Sequence, residues 1–222
     1  MSQPLLQATN LSHSFDYPLY DNVSLQIRAG ESVAVMGRSG SGKSTLLHTL
    51  AGLIEPKEGR VELLGKDLYR LSESERDRLR RIETGIVFQQ HYLFKGMSGW
   101  ENVRIAAMLA GEEIDRSILE RLGILEVMGQ KVSELSGGQQ QRVSLARVLA
   151  KRPRIIFADE PTGNLDRENA DSVMEILLEY VGTHRAALFL VTHDGGVAQR
   201  CDTIYRLESG RLSMPESEIS EL

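Results

Sequence analysis

The chain has 222 residues, of which 41% are hydrophobic and 26% charged, and its formal net charge is −5. This composition is typical of a globular protein of one or two domains, and the acidic balance argues against nucleic acid as a partner, since nucleic-acid binding usually needs a basic face. One cysteine, Cys201, excludes an intrachain disulfide, and no run of about 18 apolar residues could span a membrane. We therefore expect a cytoplasmic protein, which would need a partner carrying the membrane spans for any work at a membrane.

The first 65 residues favour short strands joined by turns. Residues 5–11 are predicted to form one strand and residues 61–64 another, and residues 23–27 alternate apolar and polar side chains as a half-buried strand does. Glu58 and Gly59 indicate a turn before that run. We expect an antiparallel β part at the N-terminus.

Residues 37–45 read GRSGSGKST and fit the phosphate-binding pattern G-x-x-x-x-G-K-[ST]. An apolar strand at 32–36 precedes them and a helix at 45–51 follows, which is the context that the motif requires. Glycines let backbone N–H groups curl around an anion, Lys43 can reach the β- and γ-phosphates, and Ser44 can offer a hydroxyl to Mg²⁺. The candidate phosphate-binding residues are Gly37, Ser39, Gly40, Ser41, Gly42, Lys43, Ser44 and Thr45.

The rest of the chain alternates helices with apolar strands, which predicts a mostly parallel sheet covered on both faces. Ser72 and Glu75 form a capping box that starts a charged helix through residue 81. The predicted strands are 86–88, 154–158 and 187–191, and the further helices are 101–110, 115–122, 136–151 and 169–181. Strand patterns are missing from 91–135. We therefore predict a core of residues 1–90 and 136–212, an inserted helical subdomain at 91–135, and a disordered tail at 213–222.

Three predicted strands end in polar residues. Asp159 and Glu160 follow one strand, His193 follows another, and Gln89 follows a third. Ligands of open α/β sheets bind at this edge, and two adjacent carboxylates suit Mg²⁺ and a water at the γ-phosphate. A lone histidine is more often structural and a lone glutamine can be an ordinary loop residue. The other four histidines have no comparable placement.

Residues 135–139, LSGGQ, open a helix and form a second possible anion site built from backbone amides. One chain that binds one nucleotide at residues 37–44 does not need two such loops. A dimer would explain both if each loop capped the nucleotide of the other subunit.

These motifs, in this order, resemble the ATP-binding subunit of ATP-binding-cassette transporters. The resemblance runs from about residue 5 to residue 212 and implies an α/β P-loop NTPase fold of the RecA-like kind. It further implies two copies around two Mg²⁺–ATP. The implied catalytic residues are Glu160, His193, Lys43 and Gln89. The implied Mg²⁺ ligands are Ser44, Gln89 and Asp159. Beside the phosphate loop, the resemblance assigns ATP contacts to Phe15, Ser136, Gly137, Gly138, Gln139 and Asp166.

Two positions depart from the family pattern. The aromatic residue that stacks on adenine is usually a tyrosine after the first strand, whereas here Phe15 is nearest, with Tyr17 and Tyr20 as alternatives. The segment from residue 101 to 136 is also shorter than in lipoprotein-releasing members.

Residues 157–166, FADEPTGNLD, resemble the branch that serves lipoprotein release, macrolide or peptide export, and cell division. The resemblance implies an ATPase that drives a separate integral membrane permease from the inner face of the cell membrane. The alternatives are a cassette ATPase in translation or DNA repair and a division-type ATPase with mechanical output. The aromatic stretch 92–100 either forms a groove for the permease or belongs to the core of the helical subdomain.

Overall fold

The structure, a computed structural model, describes residues 3–163 and 165–214. It combines strands in two sheets with helices, as the sequence predicts. The strands are β1 (Leu6–Ser14), β2 (Pro18–Ile27), β3 (Ser32–Met36), β4 (Glu58–Leu63), β5 (Lys66–Asp67), β6 (Thr84–Val87), β7 (Ile155–Asp159), β8 (Ala187–Thr192), β9 (Thr203–Glu208) and β10 (Arg211–Ser213). The α-helices are α1 (Lys43–Leu50), α2 (Glu73–Ile82), α3 (Gly99–Ala110), α4 (Arg116–Arg121), α5 (Gly137–Leu149), α6 (Arg167–His184) and α7 (Gly195–Ala198).

The larger sheet has the strand order β10-β9-β3-β8-β7-β6 and is parallel except for the β9–β10 pair. Its register sets Met36 beside Thr192 and Asp159 beside Val191. The carboxyl ends of β3, β7 and β8 therefore lie at one edge. This confirms the predicted parallel core, while β9 and β10 have no counterpart among the predicted strands.

Both faces of the larger sheet are buried, as the near-continuous apolar strands predict. Along β7, Ile155 and Phe157 belong to one hydrophobic cluster, which also holds α1 and the smaller sheet. Ile156 and Ala158 belong to a second cluster, which holds α5 and α6. Alternate side chains of one strand thus anchor two layers, and this fixes α1 and α5 on opposite sides of the strand ends.

The smaller sheet, in the order β2-β1-β4-β5, is antiparallel and confirms the predicted N-terminal β part. The turn predicted at Glu58 and Gly59 is wrong, because both residues lie in β4, beside an irregularity in its pairing with β1. Gly59 has a φ of +91°, and a Cβ there would lie 2.4 Å from the carbonyl oxygen of Asn10. The glycine permits a close backbone approach within the sheet rather than a reversal of the chain.

The helices agree with the sequence in kind and differ at their ends. The capping box of Ser72 and Glu75 is confirmed, and a second one, Ser98 with Glu101, starts α3 two residues before the predicted range. Helix α1 begins at Lys43 rather than at residue 45, because the left-handed Gly42 ends the loop. Among the described residues, no helix has the length and apolar character to cross a bilayer.

Residues 91–135 contain α3, α4 and two short 3-10 turns, and their one described β contact is a bridge between Ser98 and Lys131. Their buried side chains join the cluster of α5 and α6. Because this shared cluster does not separate the two parts, the division into a core and a helical subdomain stays our proposal. Of the tail predicted at 213–222, Ser213 lies in β10, and residues 215–222 lie outside the described residues.

Replacing Gly59 with alanine should lower the free energy of unfolding by roughly 2–5 kcal/mol, from the left-handed backbone and the clash with Asn10. Gly182→Ala is the control, because this exposed glycine lies within α6 with open space around it. That change should stabilise the protein by up to about 1 kcal/mol. Urea unfolding followed by circular dichroism measures both, and a neutral Gly59→Ala would contradict the close approach.

Candidate active site

The loop between β3 and α1 is shaped to receive an anion. Gly40 and Gly42 have φ values of +78° and +95°, which favour glycine. Lys43 is buried, and its Nζ donates to the carbonyl oxygens of Gly37 and Arg38 at 2.8 and 3.0 Å. A Cβ on Gly37 would lie 2.5 Å from the carbonyl oxygen of Leu207, so only glycine fits. The sequence pattern and the loop geometry therefore agree.

This loop forms one wall of a cavity of about 460 Å³. The cavity brings together residues from five separate parts of the chain. Its lining consists of Phe15, Tyr17, Leu19, Ser39, Gly40, Gly42, Lys43, Ser44, Thr45, Gln89, Asp159, Glu160 and His193. Two predicted loop residues, Gly37 and Ser41, are not part of the lining, and the Ser41 N–H donates to the carbonyl of Arg38 at 3.1 Å.

The two adjacent carboxylates have different neighbours, as expected for successive residues at a strand end. Asp159 is buried, and it lines the cavity together with Ser44. Burial raises the pKa of the Asp159 carboxyl above its usual value, and the nearby Ser44 hydroxyl opposes that rise. Asp159 thus faces the start of α1.

Glu160 instead faces the end of β8. Its carboxylate accepts from the Thr192 hydroxyl at 3.0 Å and from the backbone N–H of His193 at 3.0 Å, and lies 2.8 Å from His193 Nδ1. The Glu160 side chain is only 12% exposed, whereas that of His193 is 72% exposed. An oriented carboxylate beside an accessible imidazole suits the handling of a water molecule and its protons.

The oxygen atoms of the side chains at this cavity are suitable ligands for a hard divalent cation. Ser44 contributes a hydroxyl to the cavity lining, Asp159 a carboxylate and Gln89 a neutral amide. Mg²⁺ prefers such oxygens and keeps several waters, so it needs few protein ligands. These residues could hold Mg²⁺ next to the phosphate loop.

The structure separates the three aromatic candidates for stacking on a base. Phe15 and Tyr17 line the cavity and are 56% and 60% exposed. Tyr20 is 1% exposed, and its hydroxyl lies 2.7 Å from that of Thr49 inside the core. Tyr20 therefore has no free face for a ligand, and Phe15 and Tyr17 remain candidates.

The second glycine-rich loop lies outside the cavity lining. Ser136 caps α5: its hydroxyl accepts from the Gln139 N–H at 3.3 Å, and its own N–H donates to Gln139 Oε1 at 2.9 Å. Asp166 caps α6 through the N–H of Asn169 at 2.9 Å. A Cβ on Gly137 would meet nothing within 4 Å. In a single chain Gly137 faces open space, whereas a Cβ on Gly138 would lie 3.3 Å from Leu165 Cδ2. The predicted ATP contacts of 136–139 and Asp166 are not made within this cavity.

Sequence reasoning missed two residues near the acids. Thr192 bonds Glu160 directly, and its place before His193 at a strand end was the available signal. His48 lies on α1 near Asp159. Burial lowers the pKa of the His48 imidazole, and the Asp159 carboxylate opposes that fall. The spacing of four residues from Ser44 puts both on one side of the helix.

Comparison with known proteins agrees with this geometry. A family model described as "ABC transporter" matches residues 20–163. The lipoprotein-releasing system ATP-binding protein LolD of Xanthomonas axonopodis pv. citri is 42% identical over 201 residues, covering 88% of this chain and 82% of the relative. An uncharacterized ABC transporter ATP-binding protein, YbbA of Escherichia coli K12, is 43% identical over 196 residues, covering 86% of each chain.

The fold agrees as well. The dimeric post-hydrolysis structure of the ATP-binding cassette MJ0796, bound to ADP and Pi, superposes with a TM-score of 0.85 at 33% identity, covering 94% of this chain and 98% of that chain. The phosphate loop and the paired acids at a strand end agree with these relatives. We conclude that the chain belongs to the ABC transporter family, as an ATP-binding subunit that hydrolyses ATP.

Proposed function

We propose that two copies of this chain enclose two Mg²⁺–ATP molecules head to tail and that hydrolysis drives a separate membrane permease. One observation carries the proposal: Ser136 and Gly137 at the start of α5 are exposed, yet this helix start and its backbone amides lie outside their own chain's cavity. In the dimer it would cap the nucleotide of the partner subunit. Gln139 and Asp166 would lie at the same contact.

Within each site, the residues around the cavity have separate tasks. Lys43 and the amides of the loop bind the phosphates, with Thr45 at the helix start, while Phe15 or Tyr17 stacks on the base. Ser44, Asp159 and Gln89 hold Mg²⁺, which when bound neutralises charge on the phosphate oxygens. Glu160 polarises the attacking water, and His193 holds that water against the γ-phosphate. The contacts of Glu160 with Thr192 and His193 support these two roles.

The permease would bind beside Gln89. The segment after it lines a second cavity of about 490 Å³, in which Tyr92 is 63% exposed, and nearby Phe94 is 50% exposed. Leu93 lines that cavity as well but also packs against the core, as Trp100 does. Part of the aromatic stretch therefore serves the core, and part is available to a short helix of the membrane partner. Binding there would hold the ATPase at the inner face of the cell membrane.

The cargo of the transporter is proposed from the relatives. A relative that matches 88% of this chain is named for lipoprotein release. We infer an export-type system that extrudes lipoproteins or peptides. A role in translation or DNA repair has no support from these relatives, and the net charge of −5 offers no basic footprint for nucleic acid.

Glu160→Gln should bind ATP normally and lose turnover by about 10²- to 10⁴-fold, because the amide cannot accept the proton from water. Phosphate release and the affinity for a fluorescent ATP analogue measure the two effects. Glu120→Gln, at an exposed position on α4, is the matched control and should behave as wild type. Near wild-type turnover in Glu160→Gln would refute the assignment of the base.

Gly137→Asp should abolish hydrolysis without unfolding the protein. The side chain would enter open space in one chain, but it would set a carboxylate against the partner's phosphates in the dimer. ATP affinity of the single subunit should stay unchanged. Gly129→Asp, also exposed with open space around it, adds the same charge and should keep full activity. Normal ATPase activity in Gly137→Asp would contradict the proposal that two subunits share each ATP site.

Phe94→Glu should weaken binding to the permease while leaving the ATPase activity of the isolated subunit unchanged, since Phe94 is half exposed and does not line the ATP cavity. Co-purification of the permease with tagged subunit measures the loss. Met108→Glu, on the exposed side of α3, is the control. Undiminished co-purification with Phe94→Glu would count against the groove.

A further inference from the structure

Gln141 is a buried polar residue to which the mechanism so far gives no task. It lies in the second turn of α5, is 1% exposed, and its Nε2 donates to the carbonyl oxygen of Pro161 at 2.6 Å. Pro161 directly follows Glu160. The helix that starts at the Ser136 loop is therefore bonded to the turn that carries the proposed base.

That turn needs to be held in place. Glu160 has a φ of +47°, a left-handed conformation that is uncommon for a glutamate and persists only where the surroundings enforce it. The Glu160 N–H donates to the carbonyl of Val191 at 3.0 Å, and the carbonyl of Glu160 accepts from Gly163 at 3.1 Å. Strand β8 thus holds the turn from one side, and Gln141 of α5 holds it at the next peptide.

We propose that Gln141 is a positioning residue for Glu160. Its hydrogen bond connects the base of one ATP site to α5, the helix whose start completes the other site. The inference rests on the proposed roles of Glu160 and of the Ser136–Gly138 loop. Pro161 is buried, and a buried carbonyl needs a hydrogen-bond donor. The Gln141 amide supplies that donor, and any shift of α5 reaches Glu160 through it.

Gln141→Met tests the inference, because methionine fills a similar volume without donating a hydrogen bond. The kcat should fall about ten- to a hundredfold, since small displacements of a catalytic group cost that much, whereas ATP affinity stays at the wild-type value. Gln141→Asn, which keeps the amide but shortens its reach, should lose kcat as well. Gln199→Met, at an exposed position, is the matched control. Thermal unfolding shows that each variant is folded at the assay temperature.

A double variant separates positioning from general loosening. If Gln141 acts through Glu160, adding Gln141→Met to Glu160→Gln should leave the residual single-turnover rate unchanged. The inference would be overturned if the double variant lost a further factor equal to that of Gln141→Met alone. An unaltered kcat in folded Gln141→Met would overturn it as well. Full turnover in Glu160→Gln alone would instead overturn the proposed base, so the two failures are distinguishable.

Discussion

Three parallel strands end at the same edge of the larger sheet, and the candidate site depends on this alignment. The ladder sets Met36 beside Thr192 and Asp159 beside Val191, so the phosphate loop, the two acids and His193 converge from positions far apart in the chain. Because both faces of β7 are packed, a slip of one residue would turn its core side chains to the wrong layer and move both acids. The burial of the strands thus protects the geometry of the site.

Helix α5 supplies the part of the proposed ATP site that the edge of the larger sheet does not contain. Its start is the proposed second anion site, Gln141 contacts the turn after Glu160, and Ser144 and Arg147 donate to the carbonyl of His91, just after Gln89. One rigid helix thus contacts the segment proposed to bind the permease and the turn proposed to carry the base. In the proposed assembly, this helix would connect the nucleotide, the partner subunit and the permease, since a helix moves as a unit.

The sequence predicted the parts of the fold that local pattern controls. The apolar strands, the strand and helix on either side of residues 37–42, and the capping box at Ser72 depend on neighbours in the chain, and the structure confirms them. The turn expected at Gly59 was wrong, because a glycine can also mark a close approach of strands, which only the tertiary fold decides. Burial of Tyr20 and the contacts of Thr192 and Gln141 likewise depend on long-range packing, which no local motif encodes.

The central claim is that one chain holds only half of each ATP site. The most direct test is the mass in solution of the Glu160→Gln variant, measured by light scattering with Mg²⁺–ATP and with Mg²⁺–ADP. We expect a particle of twice the chain mass with ATP and of the single chain mass with ADP, because in the proposed dimer the γ-phosphate bridges both loops. A variant that is saturated with ATP and still has the mass of one chain would contradict the account.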